Sequence, residues 1–398
     1  MKLLMMENVD TINQLKLFIG KNCNKLCADC RSTSIKFVSL TFGVFICARC
    51  ASVHETLNED VRPVNPSKSN SETWNENAVK RLIDLGGNDA INGRLEAELP
   101  HYYRRPWPSV NCPSFLIEVF IKSKYVHEEF SKGAIARNAQ CQFACAEKSG
   151  ILLKKLRDSD NFCERFFELS VERNYLKYFI KPGDSEPKET LPLEKLNMTF
   201  IDHYAFDVPP HTALIQFVQE GSTRHLFLRS EDSRTIINWY NAIRLGKYHR
   251  ICLNYTCMGL SFSASEVAAT LTRDLDMAGW LSKTGPRKTD AWRRRWCMLS
   301  QRHLLYTDKP LSAFAKGELF IGSSGDGFSV TSGTPENWKR HTGYAFTIHT
   351  TVRPFVFVSD SQEEQLKWIS AMQEIMNKPL TLDETKRAAY IINKHLNV

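Results

Sequence analysis

Four cysteines near the N-terminus constrain the fold of this chain more than any other feature of its sequence. Their spacing is C-x2-C-x16-C-x2-C, and they are Cys27, Cys30, Cys47 and Cys50. Two close thiol pairs separated by one short loop can place four thiolates around a single zinc ion. The sequence therefore predicts one structural Zn2+ in a small C4 finger, and the folding of that finger should depend on the metal.

The cysteines are interpreted as reduced thiols and metal ligands, not as disulfides. Residues 1–7 do not form a secretory signal, because their apolar run is short and meets an acidic residue at once. No stretch approaches the roughly 18 apolar residues that would span a bilayer. We therefore expect a cytoplasmic chain, in which thiols stay reduced. Cys23, four residues before Cys27, is the further thiol that could compete as a ligand.

A nucleic-acid finger is disfavoured by charge. Residues 1–130 carry 16 Lys and Arg against 15 Asp and Glu, a net charge of +1. The ten residues that follow the last finger cysteine contain three acids and no Lys or Arg. Binding to nucleic acid requires a basic face that displaces counterions. The sequence therefore predicts no nucleic-acid partner.

The residues in and around the finger form a recognisable pattern. The segments that carry it are residues 24–30, 43–47, 53–54 and 86–92. In these segments the chain resembles the zinc domain of Arf GTPase-activating proteins (ArfGAP), and the resemblance covers residues 10–130. It implies a mostly α domain with a small sheet, and an Arf-type small GTPase as the partner.

The chain departs from that family at one position with a direct chemical consequence. The family carries its catalytic arginine five residues after the last ligand, Cys50, and this chain has Glu55 there. GTP hydrolysis builds negative charge on the transferring phosphoryl group, and an arginine supplied in trans is worth ~10³–10⁵ in rate. A carboxylate has the wrong sign, so we expect no catalytic residue at this position and a GAP activity that is weak or lost. Arg49 or Arg62 would have to replace the missing arginine, and His54 is interpreted as a locally packed residue, not as a general base.

The second half of the chain contains an internal repeat. In both copies 89 residues separate an opening glycine from a tryptophan, Gly150 from Trp239 and Gly279 from Trp368. Alternating apolar and polar residues, as in 345–349, predict short antiparallel strands. Each copy ends in an amphipathic segment that we predict to be a helix, with its tryptophan in the core.

Short strands followed by one helix resemble the pleckstrin homology (PH) domain. The resemblance places the first copy at 145–250 and the second at 277–380, with module boundaries near 134–147 and 254–275. The fold class predicted for the whole chain is multidomain α+β. It comprises a C4 zinc-finger domain followed by two PH-type β-barrels, each capped by a C-terminal helix.

Positive charge is concentrated in the second copy. The net charge is +8, and +7 of it lies beyond residue 130. Between Lys283 and Arg302 there are seven basic residues and one acid, Asp290. Cations on neighbouring strands can converge on one polyphosphate headgroup of a membrane lipid. The other interpretation is a solvated basic rim that binds a protein.

The PH resemblance implies which residues would contact a lipid. Family members that bind phosphatidylinositol phosphates use a lysine on the first strand, arginine on the second and tyrosine on the third. In this chain the implied lipid-binding residues are Lys283, Arg293, Arg295, Tyr306 and Lys309 in the second copy, and Lys154, Arg165 and Tyr178 in the first.

Taken together, the modules resemble the ArfGAP group with dual PH domains. That resemblance implies recruitment to phosphatidylinositol 3,4,5-trisphosphate at the plasma membrane from a cytoplasmic or partly nuclear pool. It implies a regulator of Arf-family GTPases whose own GAP activity is weak or lost. The alternative is a non-catalytic membrane adaptor that binds the lipid and a protein partner. The sequence has no nucleotide-binding loop or cofactor fingerprint, so an enzyme with its own small-molecule substrate is not expected.

Overall fold

The computed structural model describes residues 2–64, 74–134, 142–336, 338, 341–381, 384–385 and 388. The chain forms two compact units. We call them the finger unit (Met1–Ser149, Glu168–Asn174 and Glu231–Ala269) and the sheet unit (Gly150–Phe167, Tyr175–Ser230 and Thr270–Val398).

The secondary structure is mixed, as the predicted fold class requires. The helices are α1 (Lys2–Ile19), α2 (Ala48–Thr56), α3 (Glu76–Asp84), α4 (Gly87–Leu95), α5 (Ser114–Ile121), α6 (His203–Phe206), α7 (Ser233–Cys257), α8 (Ala264–Thr270) and α9 (Gln362–Met376). The strands are β1 (Phe37–Ser39), β2 (Val44–Ile46), β3 (Val61–Pro63), β4 (Glu147–Lys155), β5 (Phe162–Ser170), β6 (Tyr175–Phe179), β7 (Glu189–Pro192), β8 (Asn197–Phe200), β9 (Thr212–Gln219), β10 (Ser222–Arg229), β11 (Met277–Lys283), β12 (Arg293–Ser300), β13 (His303–Thr307), β14 (Gly317–Phe320), β15 (Ser329–Ser332), β16 (Tyr344–His349) and β17 (Pro354–Ser359).

The finger unit is built around a small sheet and the helices that flank it. The sheet is antiparallel with the order β2-β1-β3. Its core joins Phe18 of α1 and Phe45 of β2 to Trp74 and Leu82, all of them buried. α3 begins cleanly, because the side chain of Asn75 accepts the backbone N–H of Ala78 at 2.9 Å and satisfies one donor of its first turn.

The start of α4 is tied to the finger by two asparagines. Asn88 is fully buried, and its side chain accepts the N–H of Phe45 at 2.7 Å and donates to the carbonyl of Leu26 at 2.7 Å. The Asn88 backbone N–H in turn donates to Asn24 Oδ1 at 3.0 Å. Gly87 has φ +77°, and a Cβ there would lie 2.6 Å from the same Asn24 oxygen. This clamp holds the segment that leads into the first cysteine pair.

Helix α7 carries polar side chains into the interior of the finger unit. Asn241 accepts the N–H of Arg104 at 2.8 Å, and Arg244 donates to the carbonyl of Tyr102 at 2.7 Å. Both side chains are buried, so these bonds satisfy groups that water cannot reach. Trp239, on the same helix, is 2% exposed, which confirms its predicted place in a core.

The internal repeat is confirmed by two sheets of the same topology. Each is antiparallel and seven-stranded, with the orders β7-β6-β5-β4-β10-β9-β8 and β14-β13-β12-β11-β17-β16-β15. In the second copy α9 packs on β15, β16 and β17. Its tryptophan, Trp368, is buried with Leu281 and Phe357 in the core of that copy.

A separate apolar cluster joins the two copies within the sheet unit. Phe206 and Phe227 of the first copy pack with Trp296, Met298 and Leu305 of the second. The rings of Phe206 and Trp296 meet edge to face with centroids 5.0 Å apart. The two copies therefore share buried apolar surface.

The predicted module boundaries fall on different kinds of structure. Of the first, residues 135–141 lie outside the described residues. The second, 254–275, contains the end of α7 and the whole of α8. Among the described residues, no helix combines the length and the apolar character needed to cross a membrane.

Candidate functional site

The four predicted ligand cysteines come together in the finger unit. The sulfur atoms of Cys27, Cys30, Cys47 and Cys50 all lie within 4.8 Å of one another, and those of Cys30 and Cys47 are 3.6 Å apart. All four residues are buried. Within the described part of the chain, this metal-ligand cluster comprises these four thiols, and Cys23 lies outside it.

The geometry of the cluster fits zinc. Tetrahedral coordination with Zn–S bonds of about 2.3 Å requires sulfur separations of about 3.8 Å, and the 3.6 Å between the sulfurs of Cys30 and Cys47 is close to this. The N–H of Cys47 points to the Cys27 sulfur at 3.4 Å, a contact that favours the thiolate form of that sulfur. Cys27 and Cys30 precede the β1–β2 hairpin in sequence. Cys47 directly follows the hairpin and Cys50 lies in α2, so the hairpin connects the two cysteine pairs.

A buried charged network lies directly beside the cysteines. The carboxylate of Asp29 contacts Lys124 Nζ at 3.0 Å, the Tyr125 hydroxyl at 2.9 Å and His54 Nε2 at 3.1 Å. Lys124 is fully buried and also pairs with Glu96 at 2.8 Å. A charge taken out of water must be paired, so these residues specify one arrangement of the finger.

His54 is fully enclosed by this network. Its Nδ1 lies 2.6 Å from Glu59 Oε2, and its Nε2 contacts Asp29. Burial acts to lower the pKa of His54, but the hydrogen bonds to Asp29 and Glu59 outweigh it and raise the pKa to about 9. His54 is therefore a cationic residue held in the interior, in agreement with its interpretation as a locally packed residue.

The residue after His54 stands at the surface. Glu55 is exposed near the C-terminal end of α2, and its carbonyl accepts the N–H of Asn58 at 3.2 Å. Arg49 and Arg62, the two arginines that the sequence analysis named as replacements, have other partners. Arg49 donates to the carbonyls of two residues of the 107–113 segment at 2.5 Å each, and Arg62 donates to the Asp60 carboxylate at 2.9 and 2.7 Å.

The predicted lipid residues of the second copy converge on one face of its sheet. Lys283 on β11 is directly opposite Arg293 on β12, and residues opposite each other in an antiparallel pair share a face. Arg295 is two residues further along the same face, and Lys283 Nζ lies 4.8 Å from the centre of the Tyr306 ring. Lys309 is exposed just beyond β13.

Positive charge is concentrated around Lys283 in the second copy. Lys283 is 9% exposed, and its Nζ donates to the carbonyl of Thr284 at 2.9 Å. Burial, and then the nearby charge of Arg353, lower the pKa of Lys283 to about 8. Arg295 forms an ion pair with Asp308, an exposed acid at the rim.

The first copy places its predicted residues in the same relative positions. Lys154 Nζ lies 5.0 Å from the centre of the Tyr178 ring and donates to the carbonyl of Lys155 at 3.3 Å. The pKa of Lys154 is lowered to about 8 by burial first, then by Arg224 and Arg165. The repeat therefore preserves the lysine, the arginine and the tyrosine in both copies.

Sequence reasoning missed one arginine in each copy. In the first copy Lys154 pairs with Leu228 and in the second Lys283 pairs with Phe357, so Arg224 and Arg353, each four residues earlier, are equivalent. A signal was present in the sequence, because the same interval of 70 residues separates each lysine from its arginine.

Sequence reasoning also missed an acidic residue, Glu189, that distinguishes the first copy from the second. Tyr178 pairs with Glu189, whereas the equivalent Tyr306 pairs with Gly317. Glu189 binds Arg224 at 2.6 Å, with both side chains mostly buried. The first pocket thus contains a carboxylate at a position where the second has no side chain.

Comparison with known proteins matches both halves of the chain. A family model, ArfGap, described as a GTPase activating protein for Arf, matches residues 12–134, and a PH domain model matches residues 275–377. The chain is 31% identical over 366 residues to "Arf-GAP with dual PH domain-containing protein 2" of Homo sapiens, covering 90% of each chain. It is 30% identical over 370 residues to the protein of that name from Rattus norvegicus, covering 90% of this chain and 91% of the rat protein. Human "Stromal membrane-associated protein 1" is 35% identical over 124 residues, which are 31% of this chain and 25% of that protein.

We predict that Lys124→Met strongly destabilises the chain. The change leaves the buried carboxylates of Asp29 and Glu96 without their shared cation, a loss that typically costs about 3–5 kcal/mol. Urea unfolding of the full chain measures it. Lys122→Met is the matched control, since Lys122 pairs with Glu118 at the surface and its loss should cost about 0.5 kcal/mol or less. Equal stabilities of the two variants would contradict the role assigned to the network.

Proposed function

The chain belongs to the Arf GTPase-activating protein family with dual PH domains, and we propose that it is a phosphoinositide-recruited regulator of Arf-type GTPases whose own GAP activity is weak or lost. The observation that carries the proposal is Glu55, an exposed carboxylate at the position of the family's arginine. The proposed membrane address is phosphatidylinositol 3,4,5-trisphosphate in the plasma membrane, read by the second PH copy.

The finger is proposed to hold one structural zinc ion through its four cysteines. Four closely spaced sulfurs with a backbone N–H on one of them suit this metal, and four protein ligands leave no open coordination position for chemistry. The metal would join the first cysteine pair to the start of α2, and so would help to place Glu55.

Metal analysis and removal test the zinc proposal. We expect one zinc per purified chain, and Cys27→Ser should lose the metal together with the fold of the finger unit, because zinc binding supplies on the order of 10 kcal/mol in such modules. Mass spectrometry under native conditions gives the stoichiometry, and circular dichroism reports the unfolding. Cys23→Ser is the control and should keep its zinc. Loss of the metal in the Cys23 variant would show that the ligand set is wrong.

The charge of residue 55 and its exposed position both disfavour strong GAP activity. His54 is held between two carboxylates, so the backbone that follows it is well placed and residue 55 faces solvent. A family member would present a cation there to the charge that develops on the γ-phosphate. Glu55 presents an anion instead, and Arg49 and Arg62 are both engaged elsewhere.

A single substitution tests this argument. Single-turnover GTP hydrolysis by a myristoylated Arf on lipid vesicles should proceed at close to its unaided rate with the wild-type chain. Glu55→Arg should accelerate it towards the ~10³–10⁵-fold that an arginine finger supplies.

Glu55→Gln separates the two contributions in the same assay. It removes the repelling charge without adding a cation, so it should recover only a small part of the effect. A fast wild type would overturn the proposal and would make Arg49 and Arg62 the next residues to replace.

The second PH copy is the proposed lipid receptor because its cations share one face. Lys283, Arg293 and Arg295 lie together on two paired strands, and Arg353 adds a fourth charge close enough to lower the lysine's pKa. Opposite them, the Tyr306 ring packs directly over Gly317, where a Cβ would lie 2.1 Å from the Tyr306 hydroxyl, so this position can carry no carboxylate. Several phosphates on one inositol ring would satisfy such a cluster better than a single charge could.

The pH dependence of binding tests the role of Lys283. Since its pKa is lowered to about 8, Lys283 is mostly charged at pH 7.5 and mostly neutral at pH 9. Phosphate monoesters are already doubly ionised in this range, with a second pKa of about 6. We therefore expect affinity for vesicles containing phosphatidylinositol 3,4,5-trisphosphate to fall between pH 7.5 and 9, by about threefold if the contact contributes about 1 kcal/mol.

Two variants identify the residue that titrates. Lys283→Gln should bind more weakly at pH 7.5 and show little further loss at pH 9, whereas Lys283→Arg should stay charged and keep a flat profile. If the glutamine variant retains the wild-type pH profile, the titrating group is not Lys283. Sedimentation with vesicles at each pH gives the affinities.

A non-catalytic adaptor is the second candidate function, and Glu55 is the observation that favours it. An inactive finger domain could still hold a protein partner while the PH pair supplies the membrane address. A complex between the chain and a GTP-loaded Arf that forms without acceleration of hydrolysis would support the adaptor. Absence of any such complex would leave the Arf connection without support.

A further inference from the structure

The second PH copy extends the sheet of the first through a short segment between β13 and β14. The N–H of His225 on β10 donates to the carbonyl of Ala313 at 2.8 Å, and the N–H of Ala315 donates to the carbonyl of Thr223 at 2.9 Å. Between these bonds, Arg224 and Phe314 form an antiparallel β-bridge. Segment 311–315 therefore acts as an added strand on an edge that β4 leaves open, since β4 pairs with β10 only further along.

The bridge places an aromatic ring at the first copy's basic pocket. Residues opposite each other in an antiparallel bridge share a face, so the Phe314 side chain lies on the same side as Arg224. The ring centre lies 5.7 Å from the Arg224 guanidinium and 5.2 Å from that of Arg157. Both distances are those of cation–π contacts. These contacts engage the same guanidinium groups that a phosphate would need.

Little space remains where segment 311–315 meets the pocket. The cavity bounded by Lys154, Arg224 and His225 of the first copy and by Leu311 and Ala313 of the second has a volume of about 20 Å³. On the same measure one water needs roughly 10–15 Å³. The enclosed space where segment 311–315 meets these residues is therefore about that of one water molecule.

The charge of the first pocket is also compensated from within. Arg224 pairs with Glu189 at 2.6 Å and donates to the side-chain oxygen of Gln219 at 2.6 Å. The two side chains of the ion pair are 15% and 13% exposed, so the pair is screened little by solvent. An anionic headgroup entering here would meet the Glu189 carboxylate.

At the equivalent positions the second copy has neither the carboxylate nor the backbone N–H donor of the first. Gly317 stands where the first copy has Glu189, and therefore supplies no carboxylate. Pro354 stands where the first copy has His225, and a proline has no N–H to donate to an added strand. The first copy therefore accepts segment 311–315 as an added strand. The second copy cannot accept that segment from another chain in the same manner.

We propose that the basic pocket of the first PH copy is an internal socket for segment 311–315 of the second copy and does not bind a phosphoinositide headgroup. Lys154, Arg165 and Tyr178 then keep the family's arrangement without its ligand. The chain binds one headgroup, in the second copy, and the socket sets the orientation of that copy. The number of headgroups rests on the proposed lipid function of the second copy, whereas the socket itself does not.

Binding stoichiometry tests the proposal with the full chain. Calorimetric titration with soluble inositol 1,3,4,5-tetrakisphosphate should give one site per chain. The double variant Glu189→Gly with Phe314→Ser removes the carboxylate and the ring, and should raise the stoichiometry to two. Glu189→Gly with Phe262→Ser is the matched control, since Phe262 is a partly exposed ring of the finger unit, and it should stay at one. Two sites in the wild type, or one site in the opened variant, would overturn the proposal.

Hydrogen exchange tests the socket without any lipid. The backbone amides of His225 and Ala315 should exchange slowly in the wild-type chain, because each donates across the junction. Fast exchange at both amides would overturn the socket whatever the titration shows. If the amides are protected and the wild type binds no inositol phosphate, the socket stands and the lipid function proposed for the second copy fails.

Discussion

Asp29 stands between the two cysteines of the first pair in sequence, and its carboxylate is completely removed from water. Lys124, His54 and Tyr125 surround it, and their charge and hydrogen bonds hold the pKa of Asp29 well below its usual range against the effect of burial. A buried carboxylate is tolerable only if these partners stay in place, so the network fixes the path of the chain on both sides of the metal site. The same network also fixes the position at which residue 55 reaches the surface. The network therefore leaves Glu55, the residue after His54, at an exposed place near the end of α2.

The two PH copies show how one scaffold can carry two different electrostatic environments. Strand pairing brings a lysine, an arginine and a tyrosine to one face in each copy, and the later arginines, Arg224 and Arg353, join them. What differs is the residue opposite the tyrosine. In the first copy Glu189 forms an ion pair with Arg224, whereas in the second copy Gly317 contributes no charge. Because a buried pair compensates its own field, the first copy neutralises part of its charge internally, and the second has no carboxylate at the equivalent position.

Much of the architecture could be predicted from local signals. The cysteine spacing predicted the cluster of four thiols, since ligand pairs two residues apart carry their own geometry. The equal interval from glycine to tryptophan predicted two domains of one topology, and the alternation in 345–349 predicted the strand found as β16. The arginine partners were missed, although Arg224 and Arg353 follow their lysines at the same interval. Their relevance depends on the pairing of β4 with β10 and of β11 with β17, and pairing between distant strands leaves no local mark.

The sequence by itself determined the types of module, the metal ligands and the sign of the charge at residue 55, because each of these depends on residue identity and short spacing. Only the tertiary structure decided that Arg49 and Arg62 are engaged elsewhere and that Glu189 and Phe314 occupy the first pocket. Phe314 lies 90 residues beyond Arg224 and in the other copy, so nothing near either residue indicates the contact. Accessibility and net charge of a pocket are sums over all side chains that folding brings to one place, and those sums are set by long-range pairing.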